Sequence, residues 1–137
     1  MGRKLARESA MKLIFQLELT NDFSNEAVDV FIDNNGFDQG ERAYIIDVVN
    51  IVRENKEEID CKIEAHSSGW KINRLAKVDL SILRIALYEL FYREDIPIKV
   101  SINEALEMSK KYSGDESTKF INGILGTIVR ECPNNEE

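Results

Sequence analysis

The sequence predicts an all-α protein of about seven helices, packed as two small helical bundles. Apolar residues recur at helical spacing along nearly the whole chain, and no stretch shows the sustained apolar–polar alternation of a half-buried strand. The 137 residues, of which 43% are hydrophobic, are enough for one domain with a sizeable core. We therefore expect a single domain over residues 1–137, with an N-terminal helical subdomain of about 1–68 and a C-terminal one of about 69–132.

The first four helices are predicted from apolar stripes and from the residues that begin or end them. The first helix has one apolar face, formed by Ala6, Ala10, Leu13, Ile14 and Leu17. A short second helix is expected over about 25–33, with Gly36 as a left-handed cap after it. Asp38 and Glu41 form a capping-box pattern that opens the third helix, and Asn55 is expected to start a fourth.

The C-terminal half begins after the clearest break in the helical pattern, at residues 67–70. The next helix has the strongest apolar stripe in the protein, formed by Leu75, Val78, Ile82, Leu83, Ala86 and Leu90. Pro97 interrupts the helical pattern because proline lacks the amide donor that a helix interior needs. Ser101 and Glu104 indicate a second capping box, and a last helix is expected from about Ser117.

The charge of the chain is unevenly distributed. The net charge is −7, which taken alone argues against a nucleic-acid binder because like charges repel phosphate. Residues 18–60 carry twelve acidic and three basic side chains, however, whereas residues 1–12 and 71–84 each carry four basic side chains and one acidic one. This segregation indicates two local basic segments on an otherwise acidic protein.

The sequence offers few residues for catalysis or metal binding. His66 has no second histidine at metal spacing, and its pairing with Cys61 falls short of the four ligands of a structural zinc site. We interpret His66 as a surface or helix-capping residue. The chain also has no glycine-rich phosphate loop and no nucleophile elbow. We therefore expect a protein that is not an enzyme and that holds no cofactor and no metal.

Targeting signals are also absent from the sequence. No apolar run reaches the roughly 18 residues that a membrane span needs, and the charged N-terminus does not look like a secretory signal. Cys61 and Cys132 form neither a CxxC pair nor a disulfide framework, which fits a reducing compartment. We expect a cytoplasmic protein with no membrane partner.

The basic residues of the first helix form a candidate RNA-binding surface. On a helical wheel Arg3, Lys4 and Arg7 flank the apolar stripe, and Met11 and Phe15 continue the same exposed side. Cations followed by an aromatic ring at helical spacing suit single-stranded RNA, because guanidinium groups bind phosphates and a ring can stack on a base. The alternative is a solvated basic face, with Phe15 at a contact between helices.

The second basic segment has a similar pattern and the same ambiguity. Lys71, Arg74 and Lys77 recur every three residues, directly after Trp70. They could extend a nucleic-acid surface. The alternative is that Trp70 packs the junction between the two helical layers and that the cations are simply solvated.

Four blocks of the sequence, in order, resemble the NusB family of bacterial transcription antitermination factors. The resemblance covers essentially the whole chain and is densest from Trp70 to Leu125. The blocks are Arg3-x-x-x-Arg7-Glu8, the run from Asp79 to Leu90 (DLSILRIALYEL), the run from Ile96 to Ala105 (IPxxVSINEA) and the run from Lys119 to Leu125 (KFINGIL).

The resemblance implies a fold and a function. The fold of the family is two small helical bundles packed together. The family binds the boxA element of nascent RNA, including that of ribosomal RNA operons, as a heterodimer with NusE, a ribosomal protein of the small subunit. The complex loads onto RNA polymerase with other Nus factors and suppresses premature termination. Neither catalysis nor a cofactor is implied.

The resemblance also implies which residues bind. The RNA-binding positions of the family fall on Arg3, Lys4, Arg7, Phe15, Lys119, Phe120 and Asn122. The partner-binding positions fall on Phe15 and Asp79. Leu5 occupies a place that can be basic in the family, so the N-terminus has fewer cations than the most arginine-rich members, and we expect RNA binding to depend more on the partner. This assignment requires that the N-terminal cations and the Lys119–Phe120 pair converge into one positive patch.

A second hypothesis belongs to a different functional class. The acidic region 18–60 could recruit a basic partner to a helical protein–protein scaffold that touches no RNA. The overall charge favours this hypothesis, and the two basic segments oppose it.

Overall fold

The computed structural model describes residues 2–132, and within this range it contains seven α-helices and no strand, which confirms the all-α prediction. The helices are α1 (Arg3–Thr20), α2 (Asn25–Asp33), α3 (Gln39–Glu54), α4 (Lys56–Ala65), α5 (Lys77–Tyr92), α6 (Ile98–Tyr112) and α7 (Asp115–Ile128). Single 3-10 turns follow α4 and α7, at Ile72–Arg74 and Val129–Glu131. None of the helices in this range is long and apolar enough to cross a membrane.

Helix α5 lies at the centre of the fold, and every residue from 79 to 90 is buried. Helix α1 packs between α3 and α5, while α6 packs between α5 and α7. The buried apolar side chains of all these helices form one continuous cluster. Both α1 and α6 run antiparallel to α5, because the C-terminal part of α5 contacts the N-terminal parts of both of its neighbours.

The predicted N-terminal caps are correct for α3 and wrong for α6. Asp38 and Glu41 make both hydrogen bonds of a capping box, as the sequence predicts. Helix α6 instead begins at Ile98, because the carbonyl oxygen of Pro97 already accepts helical bonds from the amides of residues 100 and 101. Ser101 is therefore inside the first turn, where it is 2% exposed and cannot act as a cap.

The start of α7 also differs from the prediction. The helix begins at Asp115, two residues before the expected Ser117, and Gly114 precedes it with a φ of 139°. This backbone conformation is one that side-chain-bearing residues rarely adopt, so the glycine permits the sharp reversal between α6 and α7.

A buried polar cluster around Glu89 joins four helices. Its carboxylate accepts hydrogen bonds from Arg7 of α1 (2.6 Å from Nε), from the Tyr44 hydroxyl of α3 and from the Ser101 hydroxyl of α6 (2.7 Å). Glu89 is 1% exposed, and these three donors satisfy a charge that would otherwise be costly to bury. The cluster fixes where α1 and α6 lie along α5.

A second buried ion cluster holds the other end of α1. Arg84 of α5 is 1% exposed and donates to Glu18 of α1 (2.8 Å) and to both carboxylate oxygens of Asp60 of α4 (2.8 and 3.0 Å). One of the four cations of the second basic segment is therefore neutralised inside the fold.

Candidate nucleic-acid interface

The solvent face of α1 is a mixed row of apolar and charged side chains. Its inner stripe packs on α3 and α5, which leaves the opposite side to solvent. This side carries Leu5, Glu8, Lys12, Phe15 and Leu19, at alternating spacings of three and four. Phe15 is half-buried there, so part of its ring is accessible.

Two of the three predicted N-terminal cations are exposed. The Lys4 side chain is 64% exposed and lies 3.4 Å from a carboxylate oxygen of Glu104 on α6. Arg3 is exposed as well, with its guanidinium 5.0 Å from the ring centroid of Tyr44. Both cations remain available to a polyanion, because surface ion pairs and cation–π contacts of this kind are weak.

Arg7 is not exposed, and this corrects the expectation from the sequence. It is 5% exposed and donates from Nε and Nη2 to Glu89, and Glu104 lies 3.8 Å from its Nη1. Burial alone would lower the pKa of its guanidinium, but hydrogen bonding to Glu89 and the nearby carboxylates raise it above the ordinary value. Arg7 is thus a charged residue neutralised internally.

The burial of Arg7 has a simple geometric cause. On the α1 wheel Arg7 lies beside the apolar stripe, and Met11, one turn further, is 3% exposed, although the sequence placed both on the exposed side. The acidic Glu104 of α6 closes over this flank of α1. The apolar pattern of α1 alone does not reveal a neighbour that lies about 100 positions away in the chain.

Helix α6 adds residues that the sequence did not single out. Lys12 of α1 and Lys111 of α6 place their ammonium nitrogens 5.4 and 5.3 Å from the ring centroid of Tyr112. We call these three residues the α1–α6 cluster. Two cations and an aromatic ring are the groups that bind a phosphate and a base in single-stranded RNA.

Glu8 holds the α1–α6 cluster together. Its carboxylate accepts hydrogen bonds from the Tyr112 hydroxyl (2.9 Å) and from Lys111 (3.1 Å). Burial tends to raise the pKa of Glu8, but these hydrogen bonds and the charges of Lys111 and Lys12 lower it overall. In the sequence the signal was the consecutive lysines 110 and 111 followed by a tyrosine, but only the fold reveals that Lys111 and Tyr112 contact α1.

The predicted residues of α7 fall into two groups. Lys119 and Asn122 are exposed, and no carboxylate in residues 2–132 forms an ion pair with Lys119. Phe120 is half-buried against the core, and its ring contacts that of Trp70 edge to face, with centroids 6.4 Å apart. Trp70 is 52% exposed, so only part of its side chain packs here, against Phe120 of α7, and the rest faces solvent.

Asp79 lies beneath this surface. It is 6% exposed, and its two carboxylate oxygens accept hydrogen bonds from the hydroxyls of Ser113 (2.8 Å) and Ser117 (2.9 Å). Asp79 therefore fixes the start of α7 on α5. With both oxygens engaged, it has little left to offer a partner, in contrast to the role that the resemblance implies.

The C-terminal end of α6 contacts both α1 and α7. Tyr112 contacts α1 through Glu8, and the next residue, Ser113, hydrogen bonds to Ser117 of α7. Helices α1 and α7 are thus linked through α6, and convergence of the N-terminal cations and the Lys119–Phe120 pair into one positive patch stays a prediction. In residues 2–132 no cluster of three or more histidine, cysteine or acidic residues is arranged to hold a metal ion.

Comparisons with known proteins agree with one another. The family model of the NusB family matches residues 4–130. A transcription antitermination protein NusB from Acetivibrio thermocellus is 52% identical over 130 residues, covering 95% of this chain and 90% of the relative. A protein of the same name from Clostridium novyi is 45% identical over 132 residues, covering 95% of this chain and 99% of the relative.

Solved structures show the same fold. T. maritima NusB superposes with a TM-score of 0.88 at 34% identity, covering 96% of this chain and 93% of that chain. A crystal structure of the antitermination factors NusB and NusE in complex with dsRNA contains a chain that matches with a TM-score of 0.84 at 26% identity. That match covers 94% of this chain and 96% of the other.

Proposed function

Because the chain belongs to the NusB family of transcription antitermination proteins, we propose that it binds boxA-type single-stranded RNA together with NusE, without catalysing a reaction. The pair then loads onto RNA polymerase with other Nus factors and suppresses premature termination, including in ribosomal RNA operons. The observation that supports this proposal best is the α1–α6 cluster, where Lys12 and Lys111 flank an aromatic ring on an otherwise acidic protein.

The exposed cations supply the phosphate contacts. Arg3 and Lys4 lie at the start of α1, the α1–α6 cluster lies further along the same helix, and Lys119 lies on α7. Such contacts release counterions, so they give affinity without sequence preference and make it salt-dependent. Arg7 acts as a positioning residue for α1, because its guanidinium is engaged by Glu89.

The aromatic residues and Asn122 supply contacts to bases. Phe15 on α1 and Phe120 on α7 are both half-buried, so part of each ring faces solvent, and Phe120 also packs against the core. Stacking of a base on a fixed ring costs little conformational entropy. Asn122 is exposed two residues after Phe120 on α7 and carries both a donor and an acceptor for a base edge.

The partner contact rests on charge and on Phe15. NusE is a ribosomal protein, and a basic protein of this class is attracted to the acidic side chains of α2, α3 and α4. The solved complex of a family member with NusE and dsRNA supports both associations for that relative. The half-exposed Phe15 remains the proposed apolar contact, whereas the buried Asp79 positions α7.

The test is an electrophoretic mobility shift with three RNAs: a single-stranded boxA RNA, a scrambled strand of equal length and a boxA duplex. Each RNA is titrated with the protein alone and with an equimolar mixture of the protein and NusE. We expect the boxA strand to shift at the lowest concentration, and NusE to strengthen the shift. Equal shifts for the boxA and scrambled strands would refute boxA recognition, and a preference for the duplex would refute single-strand recognition.

The protein–protein scaffold is the second candidate, because the net charge of −7 resides largely in α2, α3 and α4. A pull-down distinguishes it from the first. Immobilised protein that captures NusE, while the captured pair shifts none of the three RNAs, would favour the scaffold and refute RNA binding.

A further inference from the structure

A cleft beside Trp70 is not explained by the packing of the fold. It has a volume of about 260 Å³ and lies between the loop after α4, the start of α5 and the start of α7. Its lining includes Trp70, Arg74, Asp79, Glu116, Ser117 and Phe120. Leaving a tryptophan 52% exposed forgoes the burial of a large apolar surface, so its position requires an explanation other than stability.

Both aromatic rings of the cleft are held in place by the fold. Trp70 follows a turn in which Ser68 and Gly69 have positive φ values, and its carbonyl oxygen accepts a hydrogen bond from the buried Ser67 hydroxyl (2.7 Å). Phe120 lies one turn after Ser117, which Asp79 ties to α5. The two rings meet at 72° with centroids 6.4 Å apart, and the exposed half of Trp70 remains free for a ligand.

The size and chemistry of the cleft suit a flat aromatic group beside a phosphate. Its volume is below the roughly 300–1,000 Å³ of pockets that enclose whole drug-sized ligands, so it fits one planar ring system. Arg74 lines one side, with the exposed Lys71 nearby in the chain, and either cation can bind an anion next to the ring. Glu116 and Asp79 also line the cleft, and their negative charges favour a neutral base over a phosphate inside it.

We propose that the Trp70 cleft is a stacking site for one unpaired nucleobase of the bound RNA. The base stacks on the exposed face of Trp70, Phe120 supports Trp70 from the side, and Arg74 binds an adjacent phosphate. The inference rests on the RNA binding proposed above and extends that surface to Trp70 and Arg74. The continuity with the exposed Lys119, one residue from Phe120, favours RNA over an apolar segment of a protein.

The experiment uses the intrinsic fluorescence of the protein. Trp70 is the only tryptophan in the 137 residues, so tryptophan emission reports directly on the cleft. The full chain is titrated with single-stranded boxA RNA labelled at one end, and anisotropy of the label and tryptophan emission are recorded together. We expect RNA binding to quench the emission at the same RNA concentration at which anisotropy rises.

Variants and modified RNAs locate the contact. Trp70→Ala is expected to weaken binding by about tenfold or more, and Trp70→Phe, which keeps a stacking ring, by only about twofold. Arg74→Ala should lower the slope of log affinity against log salt by about 0.7, the value for one phosphate of a single strand. We also expect a result from a series of RNAs that each lack the base at one position. One member should bind without quenching the Trp70 emission, because it lacks the base that stacks in the cleft.

A matched control is available at another aromatic pair. Phe31 and Phe37 also contact each other, at 6.0 Å between centroids, but Phe31 lies in α2 and Phe37 in the loop after it, within the acidic region 18–60. Phe37→Leu should leave RNA affinity and the quench unchanged. Circular dichroism of each variant shows whether the helices remain folded, and the Trp70→Phe variant keeps the test valid if Trp70→Ala does not fold.

The outcomes separate this inference from the proposed function. No rise in anisotropy for the wild-type protein, with or without NusE, would refute RNA binding and the stacking site together. RNA binding with unchanged emission and undiminished affinity of Trp70→Ala would refute the stacking site alone. If Trp70→Ala retains RNA affinity but no longer captures NusE, the cleft takes a protein side chain and the inference is also wrong.

Discussion

Replacement of Arg7 by methionine tests whether this cation belongs to the interior or to the RNA surface. Methionine fills a similar volume without charge, so it leaves Glu89 with the hydroxyls of Tyr44 and Ser101 but without a cation. Removal of one partner of a buried ion pair typically costs about 3–5 kcal/mol, because the remaining charge stays buried. That loss is a large part of the roughly 5–15 kcal/mol by which domains are stable.

The assay is urea unfolding followed by far-ultraviolet circular dichroism, with Lys4→Ala as the matched control. Lys4 also pairs with Glu104, but its side chain is 64% exposed, so its loss should cost at most about 1 kcal/mol. For the salt dependence of RNA affinity, we expect the opposite order, with the larger effect from Lys4→Ala. Lys4→Ala should reduce the salt slope of RNA affinity by about 0.7, whereas folded Arg7→Met should leave the slope unchanged.

Two results would refute this reasoning. The first is a loss of less than about 1 kcal/mol for Arg7→Met, which would mean that the ion pair with Glu89 is not buried as described. The second is a lower slope of log RNA affinity against log salt for this variant, measured in urea-free buffer in which circular dichroism shows that the variant is folded. A lower slope would mean that Arg7 contacts a phosphate of the RNA.

Three further predictions concern pH, the core and the cysteines. Burial raises the pKa of Glu18 but Arg84 lowers it overall, so the stabilisation by Glu18 exists above the unfolded pKa of about 4.3 and is lost as pH falls through the lower folded value. Unfolding free energies of Glu18→Gln should thus be lower at neutral pH and change less on acidification, and equal pH profiles would contradict this. Leu83→Ala should lose about 2–5 kcal/mol in urea unfolding, since the residue is fully buried in α5, and a loss under 1 kcal/mol would contradict the central place of this helix. A thiol reagent should modify the exposed Cys61 at once and Cys132 only on unfolding. Cys132 is 6% exposed, and burial raises the pKa of its thiol. Equal rates of modification for the two cysteines would contradict the burial of Cys132.

The sequence predicts the helices well because their determinants are local. The apolar stripe of α1, the bounds of α2 and the capping box of α3 depend on residues within a few turns of one another. The prediction failed at Ser101, where two signals competed. Pro97 already supplies the carbonyl acceptors that begin α6, so the serine hydroxyl is free to donate to Glu89.

The candidate site was harder to predict, because its residues are brought together by contacts between distant helices. Arg7 and Arg84 resemble surface cations in the sequence, yet each is buried against carboxylates of other helices. Lys111, in contrast, was not singled out from the sequence, and it shares the Tyr112 ring with Lys12 only because the C-terminal end of α6 contacts α1. Helical periodicity identifies the stripe that faces the core, but not the flank that a further helix covers.

The most direct test of RNA binding by the α1–α6 cluster is the salt dependence of affinity for single-stranded boxA RNA, measured by anisotropy. The double variant Lys12→Ala/Lys111→Ala is compared with Arg130→Ala, which removes an exposed cation beyond the end of α7. We predict that the double variant lowers the slope of log affinity against log salt by about 1.4, corresponding to two phosphates, and that Arg130→Ala leaves it unchanged. Equal slopes for the wild type and both variants would contradict the account.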